Sequence, residues 1–364
     1  MKGNSVVIPK EYMNVSDEEA IRRINEKKAR LGAQLVILAH HYQRREIVEL
    51  SEFRGDSYGL SKKAAQQKAE FIAFCGVHFM AESADVLTRE EQKVYLPNLA
   101  ARCPMAAMAE AGEVETAWEA LEAALGKDVV VPIVYVNSDA ELKAFCGRHG
   151  GATCTSSNAA AVMEWGFGKR EKLLFFPDEH LGRNTGKRLG IGREETVVWD
   201  PDLPAGGNSP EQLRRARLIL WKGFCHVHTW FSVEHVQAVR KSFPGVKVIV
   251  HPECYEEVVD ASDAAGSTEF IVNYVKAARP GEIIAIGTEL NLVSRLASEH
   301  PDKRVIELSR SLCHNMFKVN LQNLLWTLDS LNDVNLVRVD ASLRDDARVA
   351  LERMLKISER KKLD

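Results

Sequence analysis

Three kinds of residue recur in this chain at spacings that could do chemistry. Polar or aromatic pairs two positions apart stand at or just past apolar runs: His40 with Tyr42, Tyr135 with Asn137, and His251 with Glu253. His, Tyr and Glu move protons near neutral pH when their surroundings tune them. Tyr42 therefore reads as an acid or base on a carbonyl oxygen, and Glu253 as a base at a carbon or nitrogen centre. His40, His251 and the Tyr135/Asn137 pair read as holders of a substrate carboxylate or hydroxyl. Each pair is followed by a hydroxyl-bearing cluster, 17 positions on (40 to 57), 21 on (135 to 156) and 16 on (251 to 267), at Ser57, Ser156 and Ser267-Thr268. A Ser or Thr opening a helix is most simply its N-cap, but a helix N-terminus also gathers N–H groups that bind carboxylate or phosphate. The two readings are compatible.

The third kind is cysteine. The seven cysteines (75, 103, 146, 154, 225, 254, 313) form no CxxC pair, which argues against zinc ribbons and thioredoxin-like motifs. Cys75 and Cys146 sit in or beside apolar segments, and Cys154 and Cys254 have no counterpart elsewhere, so these four read as buried small side chains. Cys103, Cys225 and Cys313 stand at matching places, 27 residues past Gly76, 48 past Pro177 and 26 past Gly287. The middle gap is longer because DPDLPAGGNSPEQLRRAR, from Asp200, reads as an inserted loop followed by a helix. Three thiolates with no fourth suit a 4Fe–4S cluster with one iron open to act as a Lewis acid. Zinc held by three Cys and a water is the rival, kept alive by His226 and His228 beside Cys225.

The elements that must position these residues repeat with them. LVILAH ending at His40, VVVPIVYVN ending at Asn137 and VKVIVH ending at His251 resemble buried parallel strands. Each is followed by a helix-like stretch and a second apolar strand, FIAFCG, KLLFFPDEH and EIIAIGTE. A period near 100 residues means three related α/β domains rather than a solenoid. The boundaries read as 1–112 for an N-terminal helix and first repeat, 113–236 for a second carrying the insert near 200–217, 237–325 for a third, and 326–364 for a C-terminal accessory segment. Ligands of open α/β sheets bind beyond the carboxyl ends of the strands. Three such domains around a pseudo-threefold axis would bring the pairs, hydroxyls and cysteines to one central cleft. PDEHLGRNTGKRLG, at Pro177–Gly190, fits neither a P-loop nor a dinucleotide fingerprint.

Composition excludes several classes. Of 364 residues, 48 are Lys or Arg and 51 Asp or Glu, a net charge of −3. That balance lacks the basic excess of a nucleic-acid binder. Hydrophobic residues at 45% and charged residues at 27% are ordinary for a globular protein. The apolar run Val129–Ser138 is ten residues long, about half of what a bilayer needs. Met1–Tyr12 has no secretory h-region, so a cytoplasmic protein with reduced thiols is expected. Arg360-Lys361-Lys362 reads as a solvated helix end.

The segments AHHYQ (39–43), GDSYGLS (55–61), CGVHFMAESA (75–84), YVNS (135–138), CTSSNA (154–159), PDEHLGRNTG (177–186), WKGFCHVH (221–228), VHPEC (250–254), GST (266–268), IGTE (286–289) and CHNM (313–316) together resemble the quinolinate synthase family, in the same order from about residue 30 to about 330. The resemblance implies an enzyme of de novo NAD biosynthesis that condenses iminoaspartate with dihydroxyacetone phosphate to quinolinate, with loss of phosphate and water. It implies three homologous αβα domains with small parallel sheets, related by pseudo-threefold symmetry around a central active site. It also implies a 4Fe–4S cluster on Cys103, Cys225 and Cys313. By motif, the family's substrate-binding positions carry over to His40, Ser57, Tyr135, Asn137, Ser156, His251, Ser267 and Thr268, its acid–base residues to Tyr42 and Glu253, and a histidine near the cluster to His228. Functional coupling to an iminoaspartate-producing enzyme follows from the same resemblance; nucleic-acid and membrane partners do not. The remaining alternatives are another iron–sulfur hydro-lyase acting on a small carboxylate, and a cluster-bearing sensor, which would need a readout surface that the composition does not offer.

Overall fold

A computed structural model describes residues 7–360, the side chain of Arg360 excepted. The readings of residues 1–6 and of the Arg360-Lys361-Lys362 run lie outside the described residues.

The long apolar runs form strands because Val, Ile, Leu and Phe can be buried on both faces of a parallel sheet. The first sheet holds β1 (Leu35–His40), β2 (Phe53–Gly55), β3 (Phe71–Cys75) and β4 (Lys93–Tyr95), with β1 and β3 buried along their whole length. The second holds β5 (Val130–Tyr135), β6 (Ala152–Cys154), β7 (Lys172–Phe176), β8 (Thr196–Trp199) and β9 (Leu218–Trp221). The third holds β10 (Lys247–Val250), β11 (Ala264–Ala265), β12 (Ile283–Gly287) and β13 (Arg304–Glu307). Their orders are β2-β1-β3-β4, β6-β5-β7-β9-β8 and β11-β10-β12-β13, every pair among these strands parallel. The architecture is therefore α/β, with three small sheets flanked by helices and one strand order repeated three times. β14 (Leu336–Val337) adds to β4 as an antiparallel edge.

The extra length of the second repeat is a loop followed by a helix, as its sequence implies, with a further strand before it. In the first and third sheets one helix, His78–Leu87 or Leu290–Glu299, leads from the third strand to the fourth. In the second, helix Glu179–Arg188 is followed by β8, a 3₁₀ turn at Pro204–Gly207 and helix Pro210–Arg215 before β9. The insert is thus an edge strand, a turn and a helix. The turn is held by Asn208 Nδ2 donating to the carbonyls of Val198 at 2.8 Å and Gly206 at 2.9 Å. Ser209 caps the helix, accepting from Gln212 N at 3.2 Å.

The described residues fall into two compact units, one of 7–103 with Leu312–Asp340, the other of Pro104–Ser311 with 341–360. The first unit contains the first sheet and β14. There Gln43, fully buried, donates to the Met316 carbonyl at 3.2 Å, tying the turn after β1 to the segment that carries Cys313. The second unit contains the second and third sheets and helix Ala341–Arg360, which packs on helix Ala140–Arg148 and on β6. Gly147 makes that packing possible, since a Cβ there would lie 1.9 Å from the Asp346 carbonyl oxygen.

Backbone cannot yield as a side chain tip can, and overpacking costs about 1–3 kcal/mol. Gly147→Ala is expected to lie at the upper end of that range. The check is the urea midpoint: an unchanged midpoint would mean that the two helices separate without cost.

Candidate functional site

In the second unit the carboxyl ends of β5 and β10 meet, and the polar residues placed there by the sequence touch one another. Glu253, three residues past β10 and 2% exposed, is the hub. Tyr135, the last residue of β5, donates its hydroxyl to Glu253 Oε1. His228 Nδ1 lies 2.7 Å from Glu253 Oε2. Nε2 lies 3.1 Å from the Thr288 hydroxyl; in a neutral ring whose Nδ1–H is given to the carboxylate, Nε2 carries the lone pair and accepts from that hydroxyl. The result is a buried hydroxyl–imidazole–carboxylate series, the arrangement in which an imidazole takes a proton from an oxygen and a carboxylate stabilises the cation formed.

His251 stacks on His228, ring centroids 4.2 Å apart. Its Nδ1 accepts from Glu253 N at 3.3 Å, which leaves Nε2 as the donor, 3.2 Å from Ser156 Oγ. Burial, and His228 beside it, lower the His251 pKa to about 3, so this ring is neutral at pH 7. Burial alone would raise Glu253, but the two histidines and the hydrogen bonds from His228 and Tyr135 outweigh it and lower the carboxyl to about 2. With His251 neutral, the donors that keep Glu253 ionised are the Tyr135 hydroxyl and His228 Nδ1–H. Asn184 fixes the turn from below, its Nδ2 donating to the carbonyls of Pro252 and Cys254 at 2.8 Å each.

The first unit repeats half of this geometry by itself. His40 Nδ1 accepts from Tyr42 N at 3.1 Å, and the two rings meet edge-on at 4.7 Å. His40 and Tyr42 are buried, and so is His41.

The hydroxyl clusters divide. Ser267 caps helix Thr268–Ala277, accepting from Phe270 N at 3.3 Å. At the first repeat the cap is Asp56, accepting from Gly59 N at 2.7 Å, and Ser57 is the first helical residue, its hydroxyl not used as the cap. The simple N-cap reading thus fails for Ser57, because the carboxylate one residue earlier is the stronger acceptor. Ser156 is half-buried on His251. Asn137, also half-buried, has a buried Oδ1 with no hydrogen-bond partner among the described residues.

The seven cysteines separate by burial. Cys75, Cys146, Cys154 and Cys254 are fully buried, and burial pushes all four thiols far up. A metal ligand must be a thiolate, so these four are poor ligands. Cys103, Cys225 and Cys313 are half-buried. The Cys225 sulfur, a His228 nitrogen and a Glu253 oxygen all lie within 4.8 Å of one another, so Cys225 stands at the rim of the Glu253 network. The donor set fits a sulfur-bound metal centre.

Sequence reasoning missed Thr288, Asp178 and Asn184. Thr288 lies directly after β12 and inside the IGTE segment, and its position at a strand's carboxyl end was the available signal. Asp178, fully buried, caps helix Glu179–Arg188 through Leu181 N at 2.7 Å, and its Oδ2 has no partner among the described residues. Burial, and the charge of Glu253, push its carboxyl well up.

Residues 21–356 match the model of the Quinolinate synthetase A protein family. The chain is 51% identical over 354 residues to the quinolinate synthase of Acidobacterium capsulatum, covering 95% of each chain. It is 49% identical over 357 residues to that of Corynebacterium glutamicum, covering 96% of this chain and 91% of the relative. The quinolinate synthase of Halalkalibacterium halodurans is 47% identical over 354 residues, 96% of each.

Asp178 yields a pH test. A carboxyl raised on folding favours folding below its unfolded pKa of about 3.9, and that contribution is lost as pH rises toward the folded value. Asp178→Asn keeps a capping oxygen and removes the titration. Thermal melts from pH 5 to 8 are expected to show the variant gaining on the parent as pH rises; a pH-independent difference would remove the buried charge from the account.

Proposed function

The chain belongs to the quinolinate synthetase A family, and from that premise we propose that it condenses iminoaspartate with dihydroxyacetone phosphate on a 4Fe–4S cluster held by Cys103, Cys225 and Cys313. Quinolinate formation for NAD biosynthesis is the activity of that family, and this chain is an enzyme of that kind. Atom balance requires loss of phosphate and of two waters, with no outside oxidant. The observation that carries the finer reading is the Glu253 network: proton-handling groups joined at the carboxyl ends of two sheets, with Cys225 at their rim.

The residues divide the work by chemistry. His251 is neutral with Nε2–H toward the Ser156 hydroxyl, a donor suited to a carboxylate or carbonyl, and the same fold-back of His40 offers the same donor. Ser57, Ser156, Asn137, Ser267 and Thr268 supply hydroxyl, amide and helix-end donors for anionic groups. Glu253 keeps His228 oriented so that Nε2 takes a proton through the Thr288 hydroxyl. Tyr42 serves as acid or base at a carbonyl oxygen. When bound, a three-cysteine cluster supplies an open iron that polarises a hydroxyl or carbonyl as a Lewis acid. A cytoplasmic enzyme functionally coupled to an iminoaspartate-producing enzyme suits a substrate that is a hydrolysable imine. Among the described residues no helix is long and apolar enough to cross a membrane.

Anaerobic purification is expected to give about four irons and four sulfides per chain, and quinolinate only when both substrates are present. Zinc without sulfide would overturn the cluster, and turnover without dihydroxyacetone phosphate would favour a different hydro-lyase. Serine at 103, 225 or 313 is expected to lose iron, whereas Cys254→Ser keeps it. Tyr42→Phe is expected to keep the cluster and lose about 100-fold or more in turnover, the scale of one general acid or base; undiminished turnover would remove Tyr42 from the reaction.

A further inference from the structure

Lys143 is fully buried, in helix Ala140–Arg148, and no role assigned above uses it. A Lys is almost never fully buried unless its ammonium is held. Here Nζ donates to the Ser138 carbonyl and lies 3.3 Å from Ser138 Oγ, whose own proton goes to the Tyr135 carbonyl at 2.8 Å.

The other two repeats show what this arrangement replaces. After β1 the turn closes by Gln43 N donating to the His40 carbonyl at 2.9 Å, with His40 Nδ1 accepting from Tyr42 N. After β10 it closes by Cys254 N donating to the His251 carbonyl at 3.0 Å, with His251 Nδ1 accepting from Glu253 N. In both, the first residue of the pair is a His whose ring braces the turn. After β5 that residue is Tyr135, which has no ring nitrogen and whose hydroxyl is committed to Glu253. There Ser138 N turns instead to the Val136 carbonyl at 2.8 Å, and the Ser138 hydroxyl takes over the bond to the carbonyl of residue 135.

We propose that Lys143 is a positioning residue: with Ser138 it forms a side-chain clamp that replaces the missing His brace in the middle repeat. The clamp sets the 135–138 turn, and so aims both the Tyr135 hydroxyl at Glu253 and the Asn137 amide, whose Oδ1 has no hydrogen-bond partner among the described residues, at the ligand. The ammonium suits this task because it offers three donors on a flexible stem, enough to hold a carbonyl and a hydroxyl at once. The kinetic part of this inference rests on the quinolinate synthase reading.

The test uses Lys143→Met, which keeps the volume, and Ser138→Ala, which removes only the hydroxyl, both purified anaerobically with iron content measured. Each is expected to lower kcat/KM for quinolinate formation at least tenfold with iron unchanged. Hydrogen exchange is expected to quicken at the amides of 136–138 and to stay unchanged in β7. The double variant Asn137→Ala/Lys143→Met is expected to lose less than the product of the two single losses, since the clamp acts partly through that amide; independent effects would multiply. Should Lys143→Met fail to fold, Ser138→Ala carries the same expectations for exchange and kcat/KM, and the cycle is run with it. Wild-type exchange rates at 136–138 in a folded variant, or multiplicative losses, would overturn the inference. A parent enzyme that makes no quinolinate would overturn the functional reading alone, and the exchange measurement would still decide the clamp.

Discussion

A carboxylate taken out of water must be given donors, and the structure of the second unit turns on meeting that demand at Glu253. Removing one partner from a buried charge pair costs on the order of 3–5 kcal/mol. Here the partners come from separate stretches of chain: Tyr135 from the end of β5, His228 from the loop after β9, and Thr288 behind it from the end of β12. The second and third sheets are therefore registered against each other at their carboxyl ends, where open α/β sheets place their ligands. A slip of one residue in β5 would turn Tyr135 to the other face and strand the carboxylate.

The same constraint makes the site directional. Because Glu253 claims Nδ1 of His228, the lone pair of a neutral ring is forced to Nε2, toward Thr288. Because the Glu253 amide claims Nδ1 of His251, that ring is forced to be a donor at Nε2. Two stacked histidines thus differ in what they present, His251 being neutral and donating at Nε2 while His228 gives its Nδ1 side to the carboxylate. Stacking at 4.2 Å fits a neutral His251, since two adjacent imidazolium ions would repel in a dry pocket.

The long apolar strands were legible in the sequence because burial on both faces leaves an unbroken run. LVILAH is β1 to the residue, and FIAFC is β3. The edge strands were not legible: β2, β6 and β11 are two or three residues long, too short for any periodicity to register. β8 was hidden for a related reason, since a threonine and three apolar residues beside a Pro- and Gly-rich stretch look like the flank of a loop. In the site, residues of rare type at repeated spacings were found, and those that resemble ordinary residues were not. Thr288 looks like a turn residue, Asp178 like a plain cap, and Lys143 like a solvated position on a helix, until burial shows otherwise.

Cysteine shows the same separation from the opposite direction. All seven are chemically alike in the sequence, and only repeat position distinguished three of them. Burial now divides them along the same line. A thiol sealed in a core has no means of stabilising its anion, so its pKa climbs and it behaves as a small hydrophobe. The four sealed thiols are the four without a shared repeat position, and the three that retain some exposure are the three that have one. Side chains at equivalent places in a repeated fold share an environment, so the agreement across seven residues marks the repeat, and it leaves these three, unlike the other four, partly exposed.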